Sequence, residues 1–146
     1  MIMFLIGFVY ACMMEWAVHK FLFHDLGKKK NSIFAFHLRQ HHLNCLKNNN
    51  LDRNFSSREI PGILFLLLAH CPLYFFIPTF FYSLCCYGAL FVIIHNLCHI
   101  NSNFGKKWFP WHCDHHMKHQ NHNFNVVLPM ADYLLGTRKK DLTVDK

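Results

Sequence analysis

Twelve of the thirteen histidines in this 146-residue chain fall into four short clusters, and imidazoles gathered in that way are metal ligands in waiting. The densest cluster runs from Trp111 to His122, WHCDHHMKHQNH, and contains His112, His115 and His116 in a His-x-x-His-His unit. At about 100° per residue, positions i, i+3 and i+4 share one helix face, so these three rings can meet in one small volume. Upstream lie His19 and His24, then His37, His41 and His42, then His95 and His99, while His70 stands alone. The clusters are internal and spaced, unlike a tag, and their recurrence argues against accident. Imidazole suits Fe, Zn, Cu and Ni, so ligand type alone does not name the ion. Ten histidines exceed the three or four that one zinc ion takes, which suggests two ions. The zinc-protease pattern His-Glu-x-x-His is absent, so that chemistry has no visible general base.

The elements that position these rings have the composition of a membrane protein. Hydrophobic residues make up 53% of the chain, with sixteen Phe, and they are massed in runs rather than alternating. The formal charge of +7 comes without a basic stripe interleaved with aromatics, which excludes a nucleic-acid surface and fits the anionic-lipid side of a membrane. Seven cysteines, an odd number with no Cys-x-x-Cys pair, lie mostly in apolar runs and read as reduced thiols acting as small hydrophobes.

Three spans are expected. Met1 to Val18 is apolar apart from Glu15 and long enough to cross a hydrocarbon core of about 30 Å. It lacks the basic start and small-residue cleavage site of a signal peptide, so a retained span is expected, with Trp16 near the interface. Ile60 to Ile94 carries no formal charge and is too long for one crossing, so two spans turning near Pro78 are expected, about Ile60 to Ile77 and Thr79 to Ile100. His70 lies inside the first of these, either as a functional group or as a neutral ring bonded to nearby backbone. Phe34 to Leu46 has helical apolar spacing, with His37 and His41 on one face and His42 beside them. Pro129 and Gly136 bracket a short helix in the tail, whose apolar residues are expected against the membrane surface or the site. With this topology all four clusters emerge on one face. All fifteen Lys and Arg lie there too, which makes that face cytoplasmic by the positive-inside rule.

The order of the boxes, His-x-x-x-x-His, His-x-x-x-His-His, His-x-x-x-His and His-x-x-His-His, resembles the integral-membrane fatty acid hydroxylase/sterol desaturase superfamily, which includes carotenoid hydroxylases. EWAVHKFLFH (Glu15 to His24) is similar to the family's first box. WHCDHHMKHQNHNF followed by PMADYLLGT (Pro129 to Thr137) is similar to its closing box and Pro-x-x-Asp-x-x-x-Gly-Thr signature. The resemblance runs from about Glu15 to Thr137 and implies an all-α bundle of about three transmembrane helices, with a cytosol-facing, histidine-rich helical cap, as one domain over residues 1–146. It implies two iron ions, with zinc an alternative occupant, held by His19, His24, His37, His41, His42, His95, His99, His112, His115 and His116. The implied activity is O2-dependent hydroxylation of a lipid C–H bond in an acyl chain, sterol or carotenoid, with desaturation the neighbouring outcome. Electrons would come from a separate cytochrome or ferredoxin with its reductase. His119 and His122 have no secure counterpart and are expected to be exposed polar residues, and Asp114 and Asp132 to serve structure. Glu15, four residues before His19, is expected to orient that ring.

Two departures stand out. The second box has three residues between His37 and His41 where many relatives have two, which leaves the division of duty between His41 and His42 open. The family commonly has four spans, so with three the chain is either a minimal member or lacks a helix at its start. A rival class is a non-catalytic membrane metal binder or a haem electron carrier, but a haem carrier would place paired histidines across the bilayer, and here only His70 is deep.

Overall fold

A computed structural model describes residues 1–53 and 56–140, with backbone alone for Ser56, Ser57 and Arg58; Lys146, one of the fifteen cationic positions, lies outside it. Among the described residues every regular element is helical. Helix α1 (Ile2–Ala17) continues without a break into a π-helical segment, Val18–Leu26. A second π-helical segment, His37–His42, runs into α2 (Leu43–Lys47). Then come α3 (Ser56–His70), the single turn α4 (Leu73–Phe76) and the long α5 (Pro78–Ile100). The cap is completed by α6 (Ser102–Trp108), α7 (Pro110–Met117) and the short α8 (Met130–Leu134).

Two helices are long and apolar enough to cross a membrane, Ile2–Leu26 and Pro78–Ile100. The expected crossing from Ile60 to Ile77 is not one helix. It ends at His70, because Pro72 has no N–H to offer the preceding turn and disfavours helical geometry at Cys71. The turn therefore occupies Cys71 to Ile77, earlier than expected, and Pro78 opens α5 at a position where its missing N–H costs nothing. Helix α5 is the spine: α1 packs along it, and α3 packs on it separately. The approach of α1 to α5 is close enough that a Cβ on Gly7 would sit 2.0 Å from Ser83 Oγ, so this crossing demands glycine.

The polarity of the molecule is inverted relative to a protein folded in water. Among the twelve largest fully buried side chains of the described residues, eight are histidine and three are asparagine, with Val126 the one apolar member. Large apolar residues such as Phe65, Leu68, Phe75, Phe76 and Ile93 are more than half exposed on α3, α4 and α5. Such a belt is stable against lipid, not water. The conventional apolar core is small, built from Cys12, Tyr87, Val127 and Ala131, and it clamps the tail loop onto α1 and α5. The tail helix forms where expected: Pro129 precedes it, and Gly136 adopts φ +70° just beyond its end, the left-handed conformation glycine accepts at least cost.

Candidate metal centre

Both π-helical segments fall on histidine boxes, and their winding explains the box spacing. Five residues along an α-helix turn the side chain about 140° away, so His19 and His24 would diverge. A turn closed by i→i+5 hydrogen bonds is wider and brings residue i+5 back beneath residue i. His19 and His24 are thereby both buried in one cluster. The same winding over His37–His42 makes His41 and His42 straddle His37. The additional residue of the second box is absorbed by the wider turn.

The structure brings all ten box histidines together, each at most 4% exposed. They form two groups. In the first, His19, His24, His37, His42 and His115 have ligand atoms all within 4.8 Å of one another. In the second, the same holds for His95, His99, His112 and His116, and His41 joins His99 and His116 from the other side. Of the second box, His42 lies with the first group, while His41 lies with His99, His116 and Cys45 and also within reach of His37 and Glu59. The groups adjoin where the His42 and His116 rings lie 4.3 Å apart, centroid to centroid.

Hydrogen positions follow from the outer partners. His19 Nδ1 donates to the Phe124 carbonyl, His99 Nδ1 to the Asn50 carbonyl at 2.9 Å and His115 Nδ1 to the His122 carbonyl at 2.6 Å. A carbonyl only accepts, so the proton of each ring is on Nδ1 and its Nε2 presents a lone pair to the interior. His41 Nδ1 is held in the same manner by Asp52 at 2.8 Å. The inward nitrogens crowd one another: His19 and His37 Nε2 are 2.9 Å apart, His24 and His115 Nε2 3.1 Å, and His99 and His112 Nε2 3.0 Å. At metal–nitrogen bonds of about 2.1 Å, two imidazoles at right angles on one ion hold their nitrogens about 3 Å apart. His116 is fully buried, and neither of its nitrogens has a hydrogen-bond partner. A buried ring with two orphaned nitrogens is costly in an apo protein and satisfied by a cation. Burial, with repulsion from neighbouring rings second, pushes His37, His42, His112, His115 and His116 well below the ordinary imidazole range, so they are neutral, the form that binds metal. The donor set therefore fits metal ions.

Several participants were not foreseen from sequence. Glu59 is 3% exposed and reaches both groups, with Oε1 3.2 Å from His37 Nδ1 and Oε2 3.1 Å from His95 Nδ1. Asp52 and the backbone of Asn50 serve the second group. No spacing rule singles these out, because each meets its histidine only through the tertiary fold. Glu15 corrects the expectation placed on it. Its carboxylate accepts from Tyr87 Oη, from the Val126 N–H and from Asn125 Nδ2, and it fastens the tail loop to α1 and α5 instead of orienting His19. Asp132 is structural: buried, it accepts from the Phe124 and Asn125 N–H groups and from Thr137 Oγ1. His119 and His122 lie outside both groups, and the His122 contribution is its backbone carbonyl. Cys113 is a packed thiol, pushed up to about 12 by burial.

His70 is also outside the groups. Its Nδ1 donates to the Leu66 carbonyl at 2.8 Å and its Nε2 meets the Tyr10 hydroxyl at 2.9 Å. It lines a cavity of about 280 Å³ between α1, α3 and α5, whose other end is formed by His19, His37, His95 and Glu59.

Fold and site together define an all-helical protein of apolar helices capped by a buried histidine cluster that could hold metal ions. The chain belongs to the fatty acid hydroxylase family, whose sequence model matches residues 4–137. Comparison with curated proteins and with solved structures returns no match. The family, together with the two apolar helices, suggests a membrane-associated oxidoreductase acting on lipid.

Proposed function

We propose that the chain, as one membrane domain, hydroxylates a lipid C–H bond using two iron ions, one for each histidine group, with the histidine face toward the cytoplasm. The observation that carries this reading is the cavity: an apolar chamber between membrane helices ends on the inward-facing histidines of both groups. Bound iron would supply O2 reduction and a hydrogen-abstracting oxidant. The balance is R–H + O2 + 2 e⁻ + 2 H⁺ → R–OH + H2O, with electrons from a separate carrier of the cytochrome or ferredoxin type. The chain's own contribution is positional. His19, His24, His37, His42 and His115 would hold one ion, and His41, His95, His99, His112 and His116 the other. Outer acceptors keep the inward nitrogens deprotonated, and Glu59, hydrogen-bonded to His37 and 3.1 Å from His95, touches a ring of each group. The apolar walls hold the lipid chain and exclude water from the reacting bond.

The test is metal analysis of detergent-purified protein together with lipid mass spectrometry of expressing cells, with an electron donor present and a His115→Ala control. Two irons per chain, no haem and a lipid gaining one oxygen support the reading. A lipid losing two hydrogens moves the reaction to desaturation. No lipid change despite bound iron and a competent reductant leaves a metal binder.

A further inference from the structure

The cavity is polar at both ends and mostly apolar between. At the end away from the histidines, Tyr10 on α1 and His70 on α3 meet across it. These two helices each pack on α5 and barely on one another, so the gap between them faces sideways, toward lipid. The hydrogen placement in the pair is determined. His70 Nδ1 lies 2.8 Å from the Leu66 carbonyl, which only accepts, so the proton is on Nδ1 and Nε2 is the acceptor for the Tyr10 hydroxyl. The phenol proton is therefore committed, and the Tyr10 oxygen offers lone pairs to a third group. What fits it is a hydrogen-bond donor.

The spacing supplies a ruler. Tyr10 and His19 are nine residues apart along one continuous helix, and Glu59 and His70 are eleven apart on α3. At 1.5 Å rise per residue these are about 14 and 16 Å, two independent lengths for the same cavity. The lining between the ends includes Ala11, Met14, Ile63, Leu66 and Phe91, and its two polar members, Glu15 and Tyr87, are hydrogen-bonded to each other.

We propose that Tyr10 and His70 form a hydroxyl-binding subsite. It takes an amphiphilic lipid with a hydroxyl at one end, holds that hydroxyl on the Tyr10 oxygen and extends the apolar body along the cavity, presenting a carbon about 14–16 Å away to the histidines. An alkane leaves the Tyr10 oxygen unused. A ketone, an acceptor only, must take the phenol proton from His70 and strand its Nε2. The identity of the far end as the oxidising centre rests on the hydroxylase reading, but the binding does not.

The experiment uses the full chain in lipid nanodiscs without reductant. The probes are a long-chain primary alcohol with a diazirine at its far end, the matching alkane and the matching methyl ketone, and cross-linked peptides are mapped by mass spectrometry. The alcohol is expected to label the segments carrying Phe34 and Glu59 about tenfold more than the alkane or ketone does, the worth of one good hydrogen bond in an apolar site. Tyr10→Phe, which keeps the ring packed on His70 and Phe80, should bring the alcohol down to the alkane level with metal content unchanged. His70→Leu should free the phenol proton, so that the ketone rises to match the alcohol. Equal labelling by alcohol and alkane in the parent protein, or an undiminished preference in Tyr10→Phe, overturns the subsite and leaves the pair a bridge between two helices. Because labelling is read without turnover, a protein that passes this test and oxidises nothing refutes the hydroxylase reading alone.

Discussion

The two histidine groups reach similar density by different construction. The second draws on ordinary α-helix geometry, with His95 and His99 four apart on α5 and His112 and His116 four apart on α7. The first draws His19, His24, His37 and His42 from two π-helical segments, and the outer partners of His19 and His115 are carbonyls of the irregular stretch around Phe124. Local rules suffice to pair His95 with His99 and His112 with His116, while His41 reaches the second group from the π-helical segment. The first depends on long-range contacts, and the loop that serves it is held by Asp132, Asn125 and Glu15. A π turn is intrinsically rare, and it persists here because the surrounding fold determines it. The first group is accordingly the one more sensitive to damage at a distance.

The largest effect is expected from removing what the groups share. Glu59→Ala should weaken metal binding in both groups by about 100-fold, at the upper end for an outer-shell ligand partner, and metal stoichiometry by mass spectrometry should fall in both together. Loss of one ion with full retention of the other would show that Glu59 serves a single group. Next comes the loop. Asp132→Ala removes the acceptor of three hydrogen bonds, two of them fully buried, and should cost about 3–5 kcal/mol in a thermal or denaturant unfolding assay. Metal loss should then occur at the first group before the second, and equal loss at both would erase the proposed difference in construction. Asp52→Asn acts on the second group alone through His41, and about a tenfold loss of affinity for one ion is expected, measured by chelator competition. The smallest effect sharpens the comparison at one residue. His122→Ala removes the ring but keeps the carbonyl that fixes His115, so stability should change by less than about 0.5 kcal/mol with metal content intact. A metal-depleted His122→Ala protein would make that ring a participant.

The same contrast explains what was legible in the sequence. Helix α5 and the pairing of His95 with His99 and of His112 with His116 follow from 3.6-residue periodicity, whereas His115, expected in one volume with His112 and His116, lies in the first group; α5 begins within one residue of the expected Thr79. The ten candidates could be gathered because box order and charge placement carry global information in local text. The break at Cys71–Pro72 was legible in principle, since both prolines were visible, but hydropathy alone runs through it. Glu59, Asp52 and the Phe124 carbonyl were not legible, because a buried carboxylate or carbonyl becomes an outer partner only when remote segments meet. Glu15 shows the complementary error: proximity of four residues along a helix suggested a bond to His19, whereas contacts across more than 100 residues claimed the carboxylate.

The π-helical turn at His37–His42 also bears on how such chains tolerate insertion and deletion. One residue added to an α-helix rotates everything beyond it by about 100°, which would carry Cys45 and the rest of α2 off their buried face. Stored as a single widened turn, the same residue leaves the helix in phase on both sides, and Cys45 stays buried. The length of a histidine box is then an elastic quantity, and a motif written with a rigid gap would pass over a chain whose metal-facing nitrogens have not moved.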